Sequence, residues 1–254
     1  MLINSKAGRD MRLDEITMVE FKSRLKGRKT LIVPFGTVEA HGSHLPLSTD
    51  SLIISEVVKS AAEKTGAFVA PVVAYGVCTS TGPHPGTLGI TPDTLRMLIR
   101  DIVRHGASKG IKNFVLISGH GGGIHVSCMR EAAESLTVEI KGIRLAALSV
   151  YELIRKEILE IAETKNDSHA GEIETSLVLY LAPALVKGRA REEYPPPAGP
   201  IIARDKLRRW KGAVWGNPEK ASCEKGKKIF VAMVRRTVEL VRRIEGLPPL
   251  KKGG

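Results

Sequence analysis

Three short apolar runs punctuate the chain: residues 30–35 (TLIVPF), 67–74 (AFVAPVVA) and 113–118 (NFVLIS). Continuous runs of this length, fenced by Gly, Pro and Lys, predict strands covered on both faces rather than the alternating strands of a half-exposed sheet. A weaker run, residues 144–150 (RLAALSV), predicts a fourth. Between them the apolar period becomes helical. Leu52, Ile53, Val57 and Ala61 share one face of a helix predicted over 50–64. Over 91–109, Thr91-Pro92-Asp93 is a start signal, and Leu95, Leu98, Ile99 and Ile102 form the stripe. Further helices are predicted over 125–136, 151–164, 172–181 and 221–245. Strands alternating with helices predict parallel βαβ units, and so a three-layer α/β/α fold with a central, mainly parallel sheet. The Pro-rich stretch 192–200 (EEYPPPAGP) is a candidate boundary, but the ~50 residues after it sit at the low end of domain size. One domain spanning 1–254 is expected.

Composition narrows the class. With 43% hydrophobic and 26% charged residues, the chain is neither fibrous nor wholly disordered. No apolar run approaches the ~20 residues of a membrane span. The opening MLINSKAGRDMRLDEI has no apolar core, so no secretory signal is expected. Cys78, Cys128 and Cys223 are scattered, which suits neither a disulfide framework nor a CxxC zinc spacing and suggests the reducing cytoplasm. The net charge of +12 would suit nucleic acid or an anionic membrane. However, the basic residues gather in 204–211, 220–228 and 235–243, and aromatics are only 4%, too few for base-stacking platforms. Solvated helix faces are expected, with no nucleic-acid or membrane partner; anion steering or subunit contacts are the alternatives.

The candidate chemistry lies where strands end. After the first run comes PFGTVEAHGSHLPLSTD, which packs Glu39, His41, His44 and Asp50 into one loop. Loops after the carboxyl ends of parallel strands hold the ligand site of such sheets, and carboxylates with imidazoles are donors that divalent transition metals accept. The third run ends in SGHGGG, placing His120 beside Gly121 and Gly122, glycines that let backbone approach a ligand. Downstream lies SHAGEIETS, with His169 just before a helix and Glu172 and Glu174 in its first turn. Helix capping alone accounts for Glu172 but does not require His169.

These segments resemble the creatininase family of metal-dependent amide hydrolases. GTVEAHGSHLPLSTD is similar to the family's G-S-x-E-Q-H-G-x-H-L-P-L-x-T-D block, SGHGGG to N-G-H-G-G-N, and SHAGEIETS to H-A-G-E-x-E-T-S. Tyr75-Gly76 followed by Pro85-Gly86-Thr87, and Trp215-Gly-Asn-Pro followed by Ala221 and Gly226, extend the match over most of the chain. The resemblance implies two divalent ions, zinc, iron or manganese. Glu39, Asp50 and His120 would hold one. His41, Asp50 and a further acid would hold the other, with Asp50 bridging. Creatininases proper take that acid from the position of Gly122, where this chain has none. Glu172 is the expected replacement, because its spacing from His169 suggests a shared side of the first turn; Glu174 would then orient a ligand. His169 matches the catalytic histidine, shuttling a proton to the leaving nitrogen with Glu174 beside it.

Departures bear on the substrate. Cys78, Ser80 and Thr81 replace the family's Ser, Glu and His, and His84 replaces its Phe. Cys78, Ser80, His84, Gly121 and Gly122 are therefore the expected substrate contacts. Asn166, Asp167 and Ser168 stand where creatininases carry substrate-flanking Trp, which disfavours creatinine. The forms of the last two blocks look most like formamide hydrolases acting on a pyrimidine ribonucleotide of riboflavin and deazaflavin synthesis. A phosphate on such a substrate would agree with the basic balance. Creatininase, a family peptidase trimming a modified peptide, and an anion- or nucleic-acid-binding protein without catalysis are the alternatives. Family members assemble into multimers, so a homo-oligomer is expected.

Overall fold

A computed structural model describes residues 11–196 and 200–246. Most of the opening segment read above for a secretory signal lies outside them, as do residues 197–199 of the Pro-rich loop. Strands β1 (Thr30–Phe35), β2 (Phe68–Val69), β3 (Asn113–Ser118) and β4 (Arg144–Ser149) form one parallel sheet in the order β2-β1-β3-β4. Helices α1 (Met18–Arg24), α2 (Thr49–Thr65), α3 (Pro92–Ser108), α4 (Gly123–Glu139), α5 (Val150–Leu153), α6 (Arg155–Ile161), α7 (Glu172–Leu181), α8 (Lys206–Arg209) and α9 (Cys223–Ile244) are the α-helices among the described residues. The expected three layers are present. Ile32, Val115 and Ile117 point to one side of the sheet and pack with α2, α7 and α9. Their neighbours Leu31, Val33, Phe114 and Leu116 point to the other and pack with α3 and α4. Alternation of side chains along a strand thus feeds two cores.

Three expectations need correction. The second strand is far shorter than 67–74, because Pro71 has no N–H for the ladder; only an isolated bridge, Phe35 to Val73, continues the pairing. The helix expected over 151–164 is broken at Ile154 into α5 and α6. Helix α1 was not expected, although Thr17 and Glu20 form a capping box there.

Candidate metal centre

Strand order reverses between β1 and β3, and in such sheets the crevice at the carboxyl ends of those strands is the ligand position. Two glycines seat α2 in that crevice. A Cβ on Gly36, just past β1, would stand 2.6 Å from Ser51 Cα, and one on Gly119, just past β3, 2.3 Å from the Asp50 carbonyl oxygen. Only bare backbone lets the first turn of α2 settle there. Asp50, in that turn, is fully buried. Its Oδ1 lies 3.2 Å from His41 Nε2, and its Oδ2 lies 3.1 Å from His120 Nδ1 and accepts from the Thr37 hydroxyl at 2.5 Å. One carboxylate therefore faces two imidazoles, an oxygen to each, which is the disposition of a bridging ligand.

On the His120 side, Glu39 Oε2 is 2.8 Å from His120 Nδ1, and the Thr81 hydroxyl donates to Glu39 Oε1. On the other side, His41 Nδ1–H donates to the Glu39 carbonyl at 3.0 Å, which turns Nε2 toward the acids. Glu174 Oε2 stands 3.6 Å from that nitrogen. The Glu174 carboxylate also accepts from the Ala170 N–H at 2.6 Å and the Tyr151 hydroxyl at 3.2 Å. Three sets bring one donor atom per residue within 4.8 Å of one another: Glu39, Cys78 and His120; His41, Asp50 and Glu174; and Glu39, His41 and His169. The His169 ring lies 4.2 Å from the His41 ring, and its Nε2–H donates to the Ala40 carbonyl at 2.8 Å.

Glu172 is not among them. Its carboxylate turns away and accepts from the backbone N–H groups of Glu163 and Thr164 and from Lys225 Nζ at 2.6 Å. The expectation that Glu172 faces the His41 end is thus corrected in favour of Glu174. The two residues do point apart, as helical spacing requires. The spacing from His169 misled because His169 is not helical. It pairs antiparallel with Trp215, Ala170 takes a left-handed φ of 48°, and α7 begins only at Glu172.

The expected substrate contacts scatter. Ser80 is exposed. Buried His84 spends both ring nitrogens on the carbonyls of Thr81 and Trp210. Gly122 passes so close to His120 that a Cβ there would lie 2.3 Å from its Nε2, whereas Gly121 is unconfined, its nearest neighbours being Ser149 and Tyr151. His44 leaves the cluster to bond Thr175 at 2.8 Å. Trp210 is buried edge-on against His169 and His84. An aromatic wall thus returns to His169 from a distant segment. Sequence reasoning missed Thr37, Tyr151 and Trp210 here. The first two sit just past strand ends, where the same crevice rule could have found them; Trp210 carries no such signal.

The charge balance of the cluster calls for cations. Glu39, Asp50 and Glu174 are buried, and among the described residues their side-chain partners are Thr37, Thr81, Cys78, Tyr151 and the two histidines, with no Lys or Arg. Protons fill the need in this state. Burial works against charge on His41, but the Asp50 carboxylate prevails and raises it to about 10. His120 is likewise raised well above the histidine range, burial being outweighed by Glu39 and Asp50. Burial pushes Glu39 up, yet His120 brings it down to about 2. Burial raises Glu174 to about 7 against the pull of His41. Burial, then the His41 charge, lowers His169 to about 4, so it is neutral. Carboxylates and imidazoles converging on buried, unneutralised charge fit divalent cations as a donor set.

The profile of the Creatininase family, described as creatinine amidohydrolase, matches residues 14–241. A mycofactocin precursor peptide peptidase of Mycolicibacterium smegmatis is 31% identical over 229 residues, 84% of each chain. A creatinine amidohydrolase of Pseudomonas putida is 28% identical, covering 92% of this chain and 96% of its own. A formylamino-ribosylaminopyrimidinone monophosphate deformylase of Methanothermobacter marburgensis is 27% identical over 66% of this chain and 67% of its own. A crystal structure of creatininase superposes with a TM-score of 0.82 at 27% identity, covering 94% of this chain and 99% of the other. Zinc–zinc and manganese creatininases superpose at 0.81 and 0.80, each 28% identical over 94% of this chain and 99% of theirs. The chain belongs to the creatininase family of metal-dependent amidohydrolases.

Proposed function

We propose that the chain hydrolyses a small non-peptide amide with two divalent cations, and that the substrate is a formamide borne on an aminopyrimidine ribonucleotide. The observation that carries the dinuclear reading is Asp50, with one oxygen toward His41 and the other toward His120. Glu39, Asp50 and His120 would hold one cation, and His41, Asp50 and Glu174 the other. Zinc, manganese and iron all accept such donors. When bound, a cation pair polarises the scissile carbonyl and makes water nucleophilic near neutral pH. The protein's own groups do the rest. The Glu39 carbonyl holds His41 in one tautomer, while Tyr151 and the Ala170 N–H fix Glu174. With its Nε2–H given to Ala40, neutral His169 has its other nitrogen to take a proton and pass it to the departing amine.

The formamide reading rests on the motif forms, on the deformylase relative and on charge beside the expected substrate loop. Lys206 Nζ of α8 donates to the Thr79 carbonyl at 2.5 Å, next to Ser80, and Arg208 and Arg209 follow it toward Trp210. Such a basic rim suits a phosphate. A peptidase is the second reading, favoured by the 31% identity to the mycofactocin enzyme. The test is product analysis with the zinc-, iron- and manganese-loaded protein on four substrates: the formylaminopyrimidine ribonucleotide, its dephosphorylated form, creatinine and short peptides. Formate released fastest from the phosphorylated compound is expected. Peptide cleavage without formate would transfer the assignment to the peptidase, and creatinine ring opening to creatininase.

A further inference from the structure

Cys78, expected to touch substrate, lies in the cluster itself. It is buried, and its sulfur shares a cluster with a Glu39 oxygen and a His120 nitrogen, all within 4.8 Å of one another. Its segment is held in place. The Val77 N–H donates to His125 Nδ1 at 3.1 Å, and the Ile90 N–H donates to the Gly76 carbonyl at 2.9 Å. His125 packs against His120, with ring centroids 5.2 Å apart. The same histidine therefore supports both the cysteine loop and the imidazole that faces Asp50. The thiol has a long 3.7 Å contact to the Gly76 carbonyl and also faces the Glu39 carboxylate. Glu39 Oε1 is already taken by Thr81, so the sulfur is not needed to satisfy that oxygen.

Resting on the dinuclear reading above, we propose that Cys78 is a thiolate ligand of the cation held by Glu39, Asp50 and His120. With Zn–S near ~2.3 Å and Zn–N/O near ~2.0–2.1 Å, donor atoms around one zinc stand about 3–4 Å apart, which the cluster reaches with small movements. Cys78 gives this ion four protein ligands, against three from His41, Asp50 and Glu174 for its neighbour. Sulfur is a soft donor, so this position favours zinc or iron over manganese. The other cysteines cannot substitute: Cys128 is buried in the opposite core and Cys223 is exposed at the start of α9.

The test is X-ray absorption at the zinc edge on the zinc-loaded full chain, paired with metal content and zinc–manganese competition. The expected result is two zinc ions per chain with a sulfur scatterer at ~2.3 Å. In Cys78→Ser, zinc should remain, the sulfur signal should vanish, and the preference for zinc over manganese should fall about tenfold or more. Two bound zinc ions with only nitrogen and oxygen scatterers in the unaltered protein would overturn the thiolate and leave the dinuclear reading intact. A sulfur signal that persists in Cys78→Ser would also overturn it. A chain that takes up no zinc overturns both readings. The spectrum of the unaltered protein decides the matter even if the variant folds poorly.

Discussion

At the scale of single residues, Asp50 ties both halves of the centre together. Asp50→Ala should strip both cations, whereas Glu174→Gln should cost one and Glu172→Gln none, as counted by elemental analysis of dialysed protein. Full metal content in Asp50→Ala would exclude a bridge. Glu172→Gln should instead lower stability by about 1–3 kcal/mol, since it weakens a buried carboxylate's bonds to two backbone N–H groups and Lys225. The protonated histidines give a second prediction. Metal uptake at neutral pH must displace protons from His41, His120 and the Cys78 thiol, and part of one from Glu174, about three per chain, readable with an indicator dye. The sign of the accompanying stability change follows. His41 is raised to about 10, so between its ordinary value and 10 the folded, metal-free chain binds more protons than the unfolded one. Metal-free stability should therefore fall from about pH 7 to about pH 9, while the loaded protein, whose imidazoles hold metal rather than protons, stays level. Melting curves with and without chelator check this, and a metal-free curve that rises with pH would contradict it.

At the scale of elements, the backbone around His120 leaves little room at position 122 in this chain. Gly122 sits so close to the ring that Gly122→Glu would push His120 and draw its Nδ1 off Asp50 and Glu39. That variant should bind fewer cations than the unaltered chain; a gain in metal would show that position 122 can still serve. Much of this level was legible in the sequence. Runs 30–35 and 113–118 are strands to the residue, because continuous apolar stretches fenced by Gly and Lys have few other uses in a sheet covered on both faces. Glu39, His41, Asp50 and His120 were legible because short loops after those strands have only one crevice to enter. The choice between Glu172 and Glu174 was not, because it turns on where α7 begins, set by the left-handed Ala170 and the His169–Trp215 bridge. The Trp210 wall was hidden for a similar reason: position in space, not pattern, brings it to His169.

At the scale of the whole molecule, α9 returns from the far end of the sequence to pack on α2 and α7, which supports reading the chain as one unit. We propose a homo-oligomer on the family resemblance. Sedimentation at micromolar concentration should give a multiple of 27.5 kDa, and a monomer would refute it. The seating of α2 on Gly36 and Gly119 has a kinetic consequence. Neither proposed cation position is complete until β1, β3 and α2 are docked, and one also waits for α7, so donors far apart in sequence must already be gathered before a cation gains anything by binding. Interactions that form only after the folding barrier alter the rate of leaving the native state and not the rate of reaching it. Zinc should therefore slow unfolding in denaturant jumps and leave the refolding rate unchanged; faster refolding with zinc present would mean that part of the centre assembles early.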